Sequence, residues 1–187
     1  CDGFEVEEGA FKIRGYDGPT LSCHKCGSEM QSKTGRFGKY FGCMNDNCGT
    51  TRALQRNGEP KPIVMEPIVT EIACAKFEDF YLLRDSMKGL FLAASKYPKN
   101  RETRAPSAKE FLGAVSKEAL IDACQYLEDP MKHLHLLEAP KKDSEGHPYI
   151  IRYNKIEDTH YLASEKEGKK TGTTATHNGI KWVEVIK

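Results

Sequence analysis

The chain has 187 residues, 39% of them hydrophobic, a mean hydropathy of −0.60 and a formal net charge of +1 at pH 7. That is too polar for one large core but adequate for several small modules, each needing a staple or a neighbour. No apolar run approaches the roughly 18 residues of a membrane span and no signal peptide opens the chain, so no membrane role is expected.

The chain begins at Cys1 without a Met and reads as a piece of something longer. Its first nine residues carry Asp2, Glu5, Glu7 and Glu8 and no base. Two later stretches are basic: residues 24–56 hold six Lys or Arg against Glu29 and Asp46, and residues 84–109 hold seven against Asp85 and Glu102. Local basic surfaces on a near-neutral chain point to a directional contact with a polyanion, or to nothing more than solvated faces.

The first recognisable element spans residues 20–58. Cys23-x2-Cys26-x16-Cys43-x4-Cys48 sets two close pairs of thiols around a segment long enough for a β-hairpin. That spacing suits a closed tetrahedral zinc site of four thiolates. Gly27 supplies the positive φ that a tight metal knuckle needs. Rubredoxin-like iron is the alternative metal. Disulfides fit less well, because seven cysteines are an odd number and the first pair is so close. His24, inside the knuckle, is not read as a ligand. Four thiolates leave zinc no open position, so a zinc hydrolase is excluded.

Residues 59–69, from Glu59-Pro60-Lys61-Pro62 to Pro67, read as an extended proline-punctuated linker. Residues 70–106 then repeat the zinc module at an offset of 51 positions. Cys23 falls on Cys74, Lys33 on Arg84, Gly38 on Gly89, Tyr40 on Phe91 and Phe41-Gly42-Cys43 on Leu92-Ala93-Ala94. After a one-residue slip, Thr51-Arg52-Ala53 falls on Thr103-Arg104-Ala105. Phe77 and Lys99 stand at two other ligand positions, so this copy cannot hold a metal. Its core is expected from Phe77, Phe80, Leu82, Phe91 and Leu92, with Cys74 buried and inert.

Residues 107–130 are the helical connection. Ser107 with Glu110 forms a capping box ahead of Phe111, Leu112 and Val115. Ser116 caps a second helix with Leu120, Ile121, Cys124 and Leu127 on one stripe, which makes Cys124 a core thiol. Residues 131–187 form a last β module. In it Tyr161-Leu162-Ala163-Ser164 resembles Phe91-Leu92-Ala93-Ala94, and Asn178-Gly179 marks a hairpin. His133 and His135 border a core rather than bind metal, and Trp182 is more simply core than ligand. The fold class is therefore mostly β: tandem zinc-ribbon-like modules, one zinc-bound and the later ones metal-free, with a short helical connection.

Gly35-Arg36-Phe37-Gly38-Lys39-Tyr40-Phe41-Gly42-Cys43, after a Cys-x2-Cys-Gly knuckle, resembles the zinc-ribbon repeats at the C-terminus of bacterial type IA DNA topoisomerase I. Lys99-Asn100-Arg101-Glu102-Thr103-Arg104-Ala105-Pro106 resembles the metal-free ribbon of the proteobacterial form, and Gly179 to Lys187 is similar to its end. Cys1-Asp2-Gly3-Phe4 resembles the last knuckle of a preceding ribbon, which makes residues 1–19 its tail and a linker strand and Cys1 an orphan ligand. The resemblance implies a monomeric C-terminal fragment, in the bacterial cytoplasm on the nucleoid, that holds single-stranded DNA while its parent relaxes negative supercoils without ATP. It also implies a contact with RNA polymerase. The parent's Mg²⁺ belongs to a catalytic core with an Asp-x-Asp motif. That motif is absent here, so no catalytic residue is expected.

A non-specific single-strand binder needs aromatic platforms beside cations. Tyr40 and Phe91, at one repeat position among small neighbours, are the expected platforms, followed by Phe37 and Tyr97; core packing is the competing reading for the first two. Arg36, Arg84, Lys96, Lys99, Arg101 and Arg104 are the expected phosphate contacts. The competing function is a protein-interaction module docking on RNA polymerase, favoured by the acidic second helix with Glu118, Asp122, Glu128 and Asp129.

Overall fold

The computed structural model describes residues 18–186 together with the backbone of residues 4–7 and 10–13; Cys1 lies outside the described residues. The chain divides into two compact units, residues 1–63 and 64–187.

In the first unit, β1 (Phe4–Glu7) pairs antiparallel with β2 (Ala10–Ile13). A four-stranded antiparallel meander follows: β3 (Thr20–Ser22), β4 (Glu29–Gly35), β5 (Gly38–Cys43) and β6 (Thr51–Ala53), adjacent in chain order. Arg36-Phe37 is the two-residue turn between β4 and β5, closed by the Gly35↔Gly38 pair. Gly38 there has φ +108, a conformation that only glycine adopts cheaply. Alternation along the strands sends Met30, Phe41 and Cys43 inward beside Cys23. These four residues are the whole buried cluster of the ribbon, edged by Leu21, Cys48 and Leu54.

The second unit holds two further meanders. One comprises β7 (Ile68–Ala73), β8 (Phe80–Arg84), β9 (Phe91–Ala94) and β10 (Thr103–Arg104). The other comprises β11 (Tyr149–Asn154), β12 (Thr159–Lys166), β13 (Lys169–His177) and β14 (Trp182–Val185). Between them lie α1 (Ala108–Ala114), α2 (Lys117–Cys124) and a 3-10 helix (Leu134–Glu138). Ser107 caps α1 in a full capping box with Glu110, and the Ser116 hydroxyl accepts from the Ala119 amide at α2.

The 51-residue offset is a structural repeat. β3 ends one residue before Cys23 and β7 one residue before Cys74. Met30↔Cys43 and Lys33↔Tyr40 in the first ribbon match Tyr81↔Ala94 and Arg84↔Phe91 in the second. The third ribbon repeats the pattern with Tyr149↔Ser164 and Arg152↔Tyr161.

The expected core of the second ribbon is corrected in part. Phe77 and Phe80 are 56% and 40% exposed, and Leu82 and Phe91 are half-buried on the outer face. Tyr81, Leu83 and Leu92 point inward instead, so only Leu92 of the expected set is buried. The choice is one of strand parity: Tyr81 and Leu83 share the face that meets the helices, and Phe80 and Leu82 share the other. Tyr81, Leu83 and Leu92 then join Phe111, Leu120, Cys124 and Leu136, and Tyr149, Ile151 and Leu162, in one cluster. The two metal-free ribbons thus solve the small-core problem by sharing a core through the helices. Part of the expected linker belongs here too: Met65 is buried in this cluster and the Glu66 amide donates to the Ala123 carbonyl.

The seam between these ribbons is polar and tight. His133 Nε2 lies 3.1 Å from Asp85 Oδ2, and the Leu90 amide donates to His160 Nε2 at 3.1 Å. Burial pushes the His160 pKa down to about 3, which keeps the ring a neutral acceptor. Gly89, at φ +85, lets Tyr153 and His160 close in: a Cβ there would stand 2.5 Å from Tyr153 Cβ and 2.9 Å from His160 Nε2. Gly89→Ala should therefore destabilise residues 64–187 by about 3 kcal/mol, through overpacking added to left-handed strain. Denaturant melts of the variant check this; an unchanged midpoint would show that the seam can open without cost.

Candidate metal centre and nucleic-acid interface

Cys23 and Cys26 sit on the knuckle after β3, and Cys43 and Cys48 at the end of β5 and in the turn that follows. The four sulfurs lie within 4.8 Å of one another. Cys23 Sγ is 3.7 Å from Cys48 Sγ, and Cys26 Sγ is 3.5 Å from Cys43 Sγ. A disulfide would bring them to about 2.05 Å. Four sulfurs at about 2.3 Å from one ion stand about 3.8 Å apart at the edges of a tetrahedron, so the set fits zinc. The Asn45 amide points at Cys43 Sγ from 3.4 Å, and the Thr50 hydroxyl lies 3.0 Å from Cys48 Sγ, both suited to thiolate sulfur. The thiols differ in acidity. Hydrogen bonds from the Ser28 hydroxyl and amide bring Cys26 down to about 6, whereas burial pushes Cys43 up to about 12. Four thiolates this close need a cation between them. Zinc would close the ribbon rather than react, since all four positions are filled by sulfur.

The outward face of each ribbon carries a second pattern. In the first, Tyr40 lies directly across from Lys33. The small neighbours matter: a Cβ on Gly35 would stand 3.0 Å from Tyr40 Cε1, and one on Gly42 would stand 3.0 Å from Lys33 Cδ. The ring lies over one glycine and the lysine stem over the other. In the second ribbon Phe91 lies across from Arg84, on the face that also shows Phe80, Leu82 and Val69, the last 67% exposed. In the third, Tyr161 lies across from Arg152, whose guanidinium is 2.5 Å from Glu165 Oε1. A cation opposite an aromatic thus recurs on the same face at the same register in all three ribbons.

The expected contacts therefore divide. Tyr40, Arg84 and Phe91 fall on these faces. Lys33, Arg152 and Tyr161 fall there too and were missed, although the 51-residue slide puts Lys33 on Arg84 and the third copy puts Tyr161 on Phe91. Arg36 and Phe37 form the hairpin tip, where Phe37 is 98% exposed and the guanidinium lies 5.7 Å from its ring centroid. Lys96, Tyr97, Lys99 and Arg101 are exposed at the opposite end of the second ribbon from the Arg84–Phe91 pair. Arg104 is engaged elsewhere. Its guanidinium makes two bonds to Glu110, of 2.9 and 2.6 Å, and lies over the Tyr81 ring. The Arg104 partnership holds Glu110 down to about 2, so a phosphate would have to displace an ionised carboxylate. Trp182 borders the core as expected, its Nε1–H donating to the His135 carbonyl. Cys124 is fully buried, whereas Cys74 is only half-buried. No helix among the described residues is long and apolar enough to cross a membrane.

Residues 21–57 match the family described as the topoisomerase DNA-binding C4 zinc finger, and residues 146–185 the family described as topoisomerase I zinc-ribbon-like. The chain is 48% identical over 183 residues to a protein named DNA topoisomerase 1 from Pseudomonas aeruginosa, covering 97% of this chain and 20% of that protein. It is 44% identical over 185 residues to DNA topoisomerase 1 from Escherichia coli, covering 98% and 20%. The chain therefore spans about one fifth of the length of these relatives.

Proposed function

We propose that this chain, which belongs to the C-terminal zinc-ribbon region of bacterial DNA topoisomerase I, holds single-stranded DNA on the outward faces of its ribbons. The observation that carries this reading is the cross-strand pair of cation and aromatic, Lys33–Tyr40, Arg84–Phe91 and Arg152–Tyr161, repeated at one register. A single strand offers unstacked bases and a phosphate every nucleotide. A ring beside a cation, with small residues around it, meets one of each. Base edges are not read, so binding is indifferent to sequence. In the third ribbon Glu165 must release Arg152 first, which makes that site the weaker one.

Within the parent enzyme the fragment would hold the strand being passed during ATP-independent relaxation of negatively supercoiled DNA. Strand cleavage and Mg²⁺ belong to a catalytic core outside this sequence, and the fragment itself takes no catalytic role. It would act as a monomer in the bacterial cytoplasm, on the nucleoid. A second reading, docking on RNA polymerase, is supported by the exposed acids Glu118, Asp122, Glu128 and Asp129 on and after α2, which a nucleic acid would avoid.

Fluorescence anisotropy of the zinc-loaded protein with labelled oligo(dT) and with a matched duplex, across a salt series, tests the leading reading. Preference for the single strand, retained in part at high salt, is expected. Weak and equal binding that vanishes with salt would leave only a generic basic surface. In the same series Arg84→Ala should reduce the salt slope by roughly 0.7, the value per phosphate for a single strand. An unaltered slope would remove Arg84 from the contact.

A further inference from the structure

The metal-free ribbons keep the knuckle hydrogen bond of the zinc ribbon and tie their knuckles down with carboxylates. The knuckle amide of Cys23 donates to the Ser28 carbonyl at 2.8 Å. Cys74 donates to Asp79 in the same way, and Asp143 to His147, each at 2.9 Å. In the second ribbon Glu102 accepts from the Ala75 and Lys76 amides, each at 3.0 Å, and from the Tyr81 hydroxyl at 3.1 Å. Asp79 accepts from the Lys96 amide at 3.1 Å, the Ser95 hydroxyl at 2.6 Å and the Asn100 side chain at 3.2 Å. Lys96 stands 51 positions after Asn45, whose amide points at Cys43 Sγ. An amide aimed at a thiolate in one ribbon is aimed at a carboxylate in the next. The third ribbon repeats the device: Glu184 accepts from the Ser144 amide at 3.1 Å and from the Tyr149 hydroxyl at 2.6 Å, and Tyr149 occupies the register position of Tyr81.

In the second ribbon this clasp ties together two loops with an unusual surface. Lys76, Lys96, Lys99 and Arg101 are exposed on them, and so are Phe77 and Tyr97, at 56% and 69%. Two large rings held in water among four cations match the chemistry of a base-and-phosphate ligand. Asp79, Glu102 and Glu78 offset part of this charge; Asp79 and Glu102 are turned to the N–H and O–H donors above, which leaves Glu78 as the exposed acid beside the four cations. Lys96, Lys99 and Arg101 make no ion pair among the described residues; Lys96 Nζ and Arg101 Nε donate to the carbonyls of Glu78 and Pro98. Phe80, 40% exposed on the same face as Arg84, stands four strand steps from it, about 13 Å. The outward face therefore runs from the Arg84–Phe91 pair to the knuckle end.

We propose that the knuckle end of the second ribbon, with Lys96, Tyr97, Lys99 and Arg101, is a further contact for a nucleic-acid single strand, and that Glu102 and Asp79 position it in place of a metal. This rests on the single-strand reading of the outward faces and extends the path beyond them. The contact needs no zinc of its own.

The test uses the full zinc-loaded chain with labelled oligo(dT), comparing Tyr97→Ala, the double variant Lys99→Ala/Arg101→Ala, and Phe91→Ala. Tyr97→Ala should weaken binding about tenfold, and the double variant should lower the salt slope by about 1.4. Wild-type binding by both knuckle variants, with Phe91→Ala weakened, would overturn the knuckle contact and leave the outward-face reading standing. Wild-type binding by all three would overturn both. Glu102→Gln keeps the side chain's size but not its two equivalent acceptors. Hydrogen exchange at the Ala75 and Lys76 amides should quicken at least tenfold in this variant, or the whole ribbon lose protection. Unchanged protection would overturn the clasp.

Discussion

Removing the metal is expected to unfold residues 20–57 and to leave residues 64–187 folded. The buried cluster of the first ribbon is Cys23, Met30, Phe41 and Cys43, and two of these four are candidate metal ligands. Fixing each backbone residue costs about 1–2 kcal/mol, which a cluster of this size cannot offset. Structural zinc contributes about 10–16 kcal/mol in small zinc-bound peptides, so metal binding and folding are one event here. Residues 64–187 have a shared core of Tyr81, Leu83, Leu92, Phe111, Leu120, Tyr149, Ile151 and Leu162, among others, and their knuckles are tied by carboxylates. Titration of a strong chelator into isotope-labelled protein, followed by amide spectra, reads both halves at once. Signals of residues 20–57 should collapse to unfolded positions while those of residues 64–187 hold. Equal loss across the chain would mean that the two units do not fold separately.

The second large effect concerns the rings. Tyr40→Ala, Phe91→Ala and Tyr161→Ala should each weaken oligo(dT) binding by about 1–3 kcal/mol, mostly independently of salt. Where each ring serves its own base the losses add, so the triple variant should lose most of its affinity. These rings lie on the outward faces, and none belongs to a buried cluster. Truncation should therefore spare the fold, unlike truncation of Phe41 or Tyr81. Unchanged affinity in the folded triple variant would return the rings to a packing role and give the lead to a protein partner.

Much of this was legible in the sequence because its signals are local. The cysteine spacing, the Ser107–Glu110 capping box and the Asn178-Gly179 turn each lie within a few residues of their partners. The 51-residue offset was legible because backbone register survives loss of the metal. What stayed hidden depends on contacts between distant elements. Strand parity at Phe80-Tyr81-Leu82-Leu83 cannot be read from four consecutive apolar residues; it is set by where α1 and the third ribbon lie. Asp79 and Glu102 carry no sequence signal of their role because many of their partners are backbone N–H groups, which nearly every residue carries. Arg104 looked like a free cation because Glu110 was already accounted for as a cap, yet one carboxylate serves both.

The most direct measurement is of the rings themselves: aromatic ¹H–¹³C spectra of the zinc-loaded protein titrated with oligo(dT). Upfield ring-current shifts at Tyr40, Phe91 and Tyr161 are expected as bases stack on them, Tyr161 last. Shifts confined to other rings, or none at saturating DNA, would contradict a strand held on the outward faces of the ribbons.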